Sequence, residues 1–253
     1  MSLSHIQRSV VACTRCPRLR EYCLRVAQER KRAYRDQPYW GRPVPGFGDP
    51  DARLLIVGLA PAAHGGNRTG RVFTGDSSGD FLFRALHKAG FATIPTSTHR
   101  DDGLRLLDAY IAATVRCAPP DNKPTPGEIA RCLPWLEAEL DELRRLRVIV
   151  ALGRIAFDAS LRLLRGRGFV PSTRPVFGHG AVTQMSGNQI EGRAASPRRP
   201  GQLTLIASYH PSRQNTNTGK LTEAMFDAVF TAARGTLART VRLRPAASPD
   251  APE

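Results

Sequence analysis

Residues 52–58 read Ala-Arg-Leu-Leu-Ile-Val-Gly, a short apolar run that ends in glycine. Such a run is typical of a parallel strand that is buried on both faces. Three further runs have the same character and lie at residues 109–115, 147–152 and 203–209. Segments with helical periodicity alternate with these runs, at about residues 80–89, 126–146, 153–164 and 221–233. Buried strands that alternate with helices predict an α/β sandwich with a parallel sheet.

The remaining segments extend this one domain. Residues 6–34 have a basic helical pattern, which is interrupted from Cys13 to Pro17. Residues 166–201 are rich in Gly, Pro and Arg, and we expect a long irregular loop or a hairpin there. We therefore predict a single domain over residues 1–235 and a disordered tail over residues 236–253.

Composition narrows the class of protein. Of 253 residues, 41% are hydrophobic, which excludes a wholly disordered chain. The sequence has 37 Lys and Arg against 22 Asp and Glu, a net charge of +15. This excess indicates a polyanionic partner such as nucleic acid, although Arg-rich proteomes also yield basic proteins without one. The longest apolar runs are too short to span a membrane, and no sustained apolar segment begins the chain. We expect a soluble intracellular protein.

The five cysteines suggest a metal centre. Disulfides are rare in a reducing cytosol, so clustered cysteines there favour metal binding. Cys13 and Cys16 form a C-x-x-C pair, Cys117 and Cys132 form a wider pair, and Cys23 stands apart. Two pairs that the fold brings together would supply four thiolates, which serve either zinc or a [4Fe–4S] cluster. The alternative is that these are ordinary buried free cysteines, above all Cys132 within a helix.

Three loops follow the carboxyl ends of the predicted strands, where open parallel sheets bind their ligands. They span residues 58–76, 117–124 and 210–219. Together they carry glycines, two histidines, the carboxylates of Asp76 and Asp121, and several basic side chains. We expect the functional site at this edge of the sheet.

Three segments carry a resemblance to a known family. The run from Gly58 to Asp76, the run Val115-Arg-Cys-Ala-Pro-Pro120 and His210-Pro-Ser212 resemble the uracil-DNA glycosylase superfamily, in its iron–sulfur-containing family 5 branch. The resemblance covers about residues 9–235. It implies a three-layer α/β/α sandwich around a four-stranded, mainly parallel sheet. It also implies removal of uracil and other deaminated bases from DNA, and a [4Fe–4S] cluster rather than zinc, on ligands Cys13, Cys16, Cys117 and Cys132.

The sequence departs from other branches of this superfamily. Those branches place a water-orienting carboxylate or Asn after the first strand, where this chain has the apolar residues Leu59, Ala60 and Ala62. They also read uracil with an Asn at the end of the second strand, which corresponds to Ala113 here. The resemblance to family 5 therefore implies a broader range of bases.

The resemblance also assigns roles to side chains. His210 is predicted to donate a hydrogen bond to the uracil O2, and the alternative is that it only caps the strand end. Asp76 is predicted to orient the attacking water or stabilise the sugar cation, and the alternative is an N-cap for a helix starting near Ser78. Phe73 would stack on the extruded base, unless it is core packing. The full set predicted to contact the base is Ala60, Phe73, Asn122 and His64.

The DNA interface is predicted on the loops as well. Arg213, Gln214 and Asn215 would enter the minor groove and fill the space that the extruded nucleotide leaves. Arg68 and Lys123 would meet phosphates, together with Arg71, Arg116 and Lys220. The alternative for each of these cations is an ordinary solvated surface charge.

These features predict a monofunctional DNA glycosylase for uracil and other deaminated bases in double-stranded DNA. Lysines near the three loops are limited to Lys123 and Lys220, and neither is placed to form a Schiff base. We expect a monomer of bacterial or archaeal type that initiates base excision repair in the cytoplasm, at the nucleoid, with no membrane partner. The alternative function is a non-catalytic iron–sulfur or zinc protein that binds DNA and senses damage.

Overall fold

The computed structural model describes residues 2–187 and 201–242, and the side chains of the last helix as far as Arg239. These residues form one seven-stranded sheet, in the order β1-β3-β2-β4-β7-β6-β5. Its strands are β1 (Phe47–Gly48), β2 (Leu54–Gly58), β3 (Ala109–Ala113), β4 (Val148–Leu152), β5 (Phe169–Pro171), β6 (Val182–Gly187) and β7 (Gln202–Ser208).

The four predicted strands form the centre of the sheet. Strands β3, β2, β4 and β7 are neighbours and all run parallel. Every residue of β2, β3 and β4 is buried, because helices cover both faces. This part of the prediction is confirmed.

The sheet is larger than predicted, with seven strands instead of four. Strands β1, β5 and β6 add to its edges in antiparallel pairings. Strand β1 is two residues long, and β6 alternates buried and exposed positions, so neither shows a continuous apolar run. The predicted hairpin over residues 166–201 is present as β5 and β6, while residues 188–200 lie outside the described part.

The helices are α1 (Leu3–Val11), α2 (Pro17–Glu29), α3 (Gly66–Thr69), α4 (Ser77–Lys88), α5 (Pro126–Glu142), α6 (Arg154–Gly166), α7 (Arg213–Asn217) and α8 (Glu223–Arg242). Helices α4 and α8 pack with Leu54 and Ile56 on one face of the sheet. Helices α5 and α6 pack with Leu55 and Val57 on the other. The side chains of successive strand residues point to opposite faces, so each apolar strand contributes residues to both cores. The predicted three-layer sandwich is therefore confirmed.

Two helix boundaries bear on the predictions. Helix α5 begins with a capping box, in which Thr125 Oγ1 accepts the Glu128 N–H at 3.2 Å and Glu128 Oε2 accepts the Thr125 N–H at 2.8 Å. Helix α8 continues to Arg242, and Leu237 is buried. The helix therefore runs past residue 235, and the side chain of Leu237 packs on the core. Residues 243–253 of the predicted tail lie outside the described part.

A buried ion pair joins the end of β3 to α5. The guanidinium of Arg116 binds the carboxylate of Glu139, and the two side chains are 1% and 0% exposed. Glu139 also accepts hydrogen bonds from the Gly46 N–H and the Tyr110 hydroxyl, each at 3.2 Å.

In the part of the chain described, no helix is long and apolar enough to cross a membrane.

Candidate active site

The first and third loops meet at the carboxyl edge of the parallel strands. The rings of Phe73 and His210 stack with centroids 5.8 Å apart and planes inclined by 30°. Phe73 lies over Gly58, where a Cβ would come within 2.8 Å of the ring carbons. The backbone of Phe73 has a φ of +51°, which non-glycine residues rarely adopt. A constrained backbone and a glycine at the strand end thus hold the Phe73 ring against His210.

His210 is fixed by the turn that follows β7. Its carbonyl oxygen accepts the Ser212 N–H and the Asn215 Nδ2–H, both at 2.8 Å. Burial of the imidazole lowers its pKa to about 4. At neutral pH the ring is therefore uncharged, and one of its nitrogens carries a hydrogen that it can donate.

Asp76 is the N-cap of α4, as one of the two readings of the sequence required. Its Oδ1 accepts the N–H groups of Ser78 and Gly79, each at 3.0 Å. Burial raises the pKa of this carboxyl, and the two N–H groups oppose the rise. Within the described residues Oδ2 has no hydrogen-bond partner, and it lies against Gly65, where a Cβ would overlap it. Capping thus occupies one carboxylate oxygen, and the catalytic role of the other stays a prediction.

A cavity of 570 Å³ opens beside Asp76. Asp76, Ser77 and Asp80 line it from the start of α4, and Arg213 lines it from α7. The Arg213 Nε–H donates to Ser77 Oγ at 3.1 Å, which ties the third loop to the first. Phe73 and His210 are not among its lining residues, so the cavity lies beside the stacked pair and does not enclose it.

Two lining residues of this cavity come from a segment that the sequence did not connect with the site. Tyr34 and Gln37 lie after α2, far along the chain from the motif that contains Asp76. No motif marks them, and only the fold brings them to the cavity. The side chains of Ser97, Thr98 and His99 complete that wall.

Arg68 also lines this cavity, and although it is largely buried, each nitrogen of its guanidinium donates a hydrogen bond inside the protein. It donates to the carbonyl oxygens of His64 at 2.8 Å and Gly75 at 2.7 Å. It also donates to Gln37 Oε1 at 2.5 Å and lies 4.0 Å from the centroid of the Tyr34 ring. Arg68 thus holds the loop before Asp76 in place, and its contact with a phosphate stays a prediction.

Two further arginines that were expected to meet phosphates are also buried. Arg71 pairs with Asp102 at 2.6 Å, and Arg116 pairs with Glu139. Their acceptors lie on distant segments, which explains why the sequence could not reveal them. By contrast, several polar side chains predicted at the interface are exposed, namely Arg213, Gln214, Lys123 and Lys220. Asn215 instead fixes the His210 turn.

The other predicted base contacts are not brought into the Asp76 cavity. His64 Nδ1 lies 3.0 Å from the Tyr39 hydroxyl and lines a second cavity of 310 Å³, next to α2. Burial lowers the pKa of His64. Ala60 packs against the cysteines. Asn122 is exposed, with a φ of +57°, and its side chain makes no hydrogen bond within the described residues. The structure thus brings together Phe73, His210, Asp76 and Arg213.

The cysteines share one region between α2, α5 and the end of β3. Cys16, Cys23, Cys117 and Cys132 belong to a single buried cluster, while Cys13 is half-buried and acts electrostatically on Cys132. Burial raises the pKa of the Cys132 thiol to about 12. Cys23, which lies outside both cysteine pairs along the chain, belongs to the same cluster in the fold. It interacts with Cys117, which lowers the Cys23 pKa, and its thiol donates to the Ala118 carbonyl at 3.6 Å.

The surroundings of the cysteines fit a group that accepts hydrogen bonds. The Arg116 backbone N–H donates to Cys132 Sγ at 3.2 Å. Three buried side-chain nitrogens nearby have no hydrogen-bond partner, namely Arg20 Nη1, Arg116 Nε and Trp135 Nε1. Buried donors without acceptors are uncommon in proteins and call for a partner. Among described residues, no three His, Cys, Asp or Glu side chains are spaced to hold a single metal ion. A cluster of iron and sulfide spreads its ligands more widely and offers more acceptors.

Comparison with known proteins gives one family. The family profile described as the Uracil DNA glycosylase superfamily matches residues 45–234. The chain is 52% identical over 227 residues to the Type-5 uracil-DNA glycosylase of Thermus thermophilus, covering 90% of this chain and 94% of that protein. It is 47% identical over 234 residues to that of Mycobacterium tuberculosis, covering 92% and 81%. It is 32% identical over 170 residues to the Type-4 uracil-DNA glycosylase of Thermotoga maritima, covering 67% and 69%.

Proposed function

Because the chain belongs to the uracil-DNA glycosylase superfamily, we propose that it is a monofunctional DNA glycosylase acting on double-stranded DNA. It hydrolyses the N-glycosidic bond of uracil and of other deaminated bases, and so initiates base excision repair. The observation that carries this proposal is the uncharged His210 imidazole, held against Phe73 at the carboxyl edge of the sheet.

The chemistry needs a donor where negative charge develops. As the C1′–N1 bond breaks, the bonding electrons pass to the pyrimidine, and negative charge grows on its carbonyl oxygens. A preorganised neutral donor stabilises that charge without surrendering its proton. His210 supplies such a donor, because its low pKa keeps the imidazole neutral. Phe73 offers an aromatic face next to it for an extruded base.

Asp76 is suited to the other half of the reaction. Water adds to the electron-poor C1′ and must lose a proton as it does so. Two N–H groups fix Asp76 Oδ1, which leaves Oδ2 to orient the water and to offset the positive charge on the sugar. No lysine lines the adjacent cavity within the described residues, so water and not an amine is the nucleophile. This supports a monofunctional enzyme.

The partner is DNA that contains deaminated bases. A net charge of +15 suits a polyanion. The exposed Arg213 and Gln214 lie on α7, and Arg213 lines the cavity beside Asp76. We expect a monomer that acts in the cytoplasm, on the DNA of the nucleoid.

We also propose that Cys13, Cys16, Cys117 and Cys132 bind a [4Fe–4S] cluster. When bound, such a group would join the N-terminal segment to the end of β3 and to α5, and it would take no part in the hydrolysis. Protein purified without oxygen should contain about four irons per chain. Cys117→Ser should lose iron, whereas Cys23→Ser should keep it. A folded, colourless protein with one zinc contradicts the cluster.

The glycosylase assay uses a duplex with one uracil, incubated with the protein and then treated with alkali to cleave abasic sites. We expect strand cleavage after alkali only, and the same with hypoxanthine or xanthine in place of uracil. His210→Ala should slow single-turnover excision by roughly 10²–10³-fold, the scale for losing one donor to a developing anion. His87→Ala, an exposed change on α4, is the control. Tight binding without abasic sites would instead support the non-catalytic damage sensor.

A further inference from the structure

The two tryptophans of the chain differ in one respect. Trp40 donates its indole Nε1–H to the Pro43 carbonyl at 3.1 Å. Trp135 Nε1 is also buried, yet it has no hydrogen-bond partner among the described residues. An indole N–H that is buried normally finds an acceptor, because leaving it unpaired costs free energy. Trp135 therefore points to an acceptor that the described part of the protein does not provide.

The position of Trp135 places that acceptor at the cysteines. Trp135 follows Cys132 by three residues on α5, so the two side chains share one helix face. Its ring packs against the cysteine cluster. The guanidinium of Arg15 lies 4.6 Å from the ring centroid, and Arg15 stands between Cys13 and Cys16. The ring thus contacts the C-x-x-C loop and lies close to Cys132.

A second unpaired donor lies on α2, the helix that follows the C-x-x-C pair. Arg20 on α2 donates Nη2–H to the Gly41 carbonyl at 2.9 Å, but its buried Nη1 has no hydrogen-bond partner. Arg20 follows Cys16 by four residues, and its backbone N–H donates to the Cys16 carbonyl at 3.0 Å. Arg20 therefore approaches the cysteines from α2, as Trp135 does from α5.

We propose that Trp135 Nε1 and Arg20 Nη1 donate hydrogen bonds to the sulfurs of the metal centre. This inference rests on the proposed [4Fe–4S] cluster and extends it to two positioning residues that are not ligands. Hydrogen bonds to the sulfurs stabilise the more negative, reduced state of such a group and so raise its reduction potential. These hydrogen bonds also slow the loss of the metal centre, because they hold its sulfurs while the cysteine ligands hold its irons.

The test compares Trp135→Phe with Trp40→Phe in protein that holds its full iron complement. Trp135→Phe keeps a ring for Arg15 to stack on and removes only the N–H. We expect it to retain iron, to shift the midpoint potential in a dithionite titration to a more negative value, and to lose the cluster several-fold faster in air. Trp40→Phe removes an N–H that already donates to the Pro43 carbonyl, on a side chain outside the cysteine cluster, and should change none of these.

Two further measurements keep the test decisive if Trp135→Phe does not fold. Arg20→Met should shift the potential in the same direction. In the unchanged protein, transfer to D₂O should shift the Fe–S stretching bands in the resonance Raman spectrum. Potentials equal to that of Trp40→Phe, with bands insensitive to D₂O, would overturn the inference alone. Absence of iron would overturn the cluster and the inference together, and would leave the glycosylase assay unaffected.

Discussion

The imidazole of His210 ties the pH dependence of stability to the functional site. Its pKa is about 4 in the folded protein and about 6.5 when unfolded, so the unfolded chain binds the proton first as pH falls. The free energy of unfolding should therefore be highest above about pH 6.5 and decrease as pH falls towards about 4. Urea denaturation across this range measures it. His210→Phe should flatten this decrease, and an unchanged profile in that variant would contradict the low pKa.

Two substitutions of Asp76 separate the effect of its charge on catalysis from the effect of its helix cap on stability. Asn caps a helix nearly as well as Asp, so Asp76→Asn should keep wild-type stability, whereas Asp76→Ala should lose about 1 kcal/mol. We expect Asp76→Asn to slow single-turnover excision strongly, since its side chain carries no charge to offset the sugar cation. A wild-type rate for Asp76→Asn under saturating enzyme would make the carboxylate purely structural.

At the scale of elements, the junction between β3 and α5 depends on one ion pair. Glu139→Gln would leave the Arg116 guanidinium buried without a counter-charge, and we expect a loss of about 3–5 kcal/mol in the free energy of unfolding. Asp158→Asn is the matched control, because Asp158 pairs with Arg154 on α6 where the two side chains are 53% and 68% exposed. Its cost should stay below about 1 kcal/mol. Equal effects in urea denaturation would show that burial of the first pair is not decisive.

The elements that the sequence predicted correctly are those with a strong local signal. Strand β2 and the three strands that run parallel to it each carry an apolar run, and the start of α5 carries its capping box. Strand β1 carries no such signal, because two residues in a connector rich in glycine and proline gain their strand character from pairing with β3.

The errors at the candidate site have a common origin in long-range pairing. The sequence shows that Arg71 and Arg116 are cations in the right loops, but not that Asp102 and Glu139 take up their charges. Cys23 likewise lies outside both cysteine pairs along the chain and joins Cys117 only in the fold. The Asp76 cap was predictable, because a capping side chain acts on N–H groups two and three residues away.

For the whole molecule, the exposed and the buried basic side chains predict different salt dependences. Lys123→Ala should weaken DNA binding and lower the slope of log affinity against log salt by about one, as expected for one lost phosphate contact of this exposed side chain. Arg71→Met should leave that slope unchanged, since Arg71 is buried against Asp102, and should reduce stability instead. Binding measured by fluorescence anisotropy at several salt concentrations separates the two. An equal slope change in both variants would contradict the buried placement of Arg71.

The two outer strands of the sheet influence how molecules meet one another. Strand β1 has only two residues, and β5 has three and ends at Pro171, which has no N–H to donate. A neighbouring chain therefore finds only a short row of free backbone groups at either border, too short to template a continuous intermolecular sheet. In the described part of the chain, the short outer strands thus disfavour edge-to-edge aggregation between molecules.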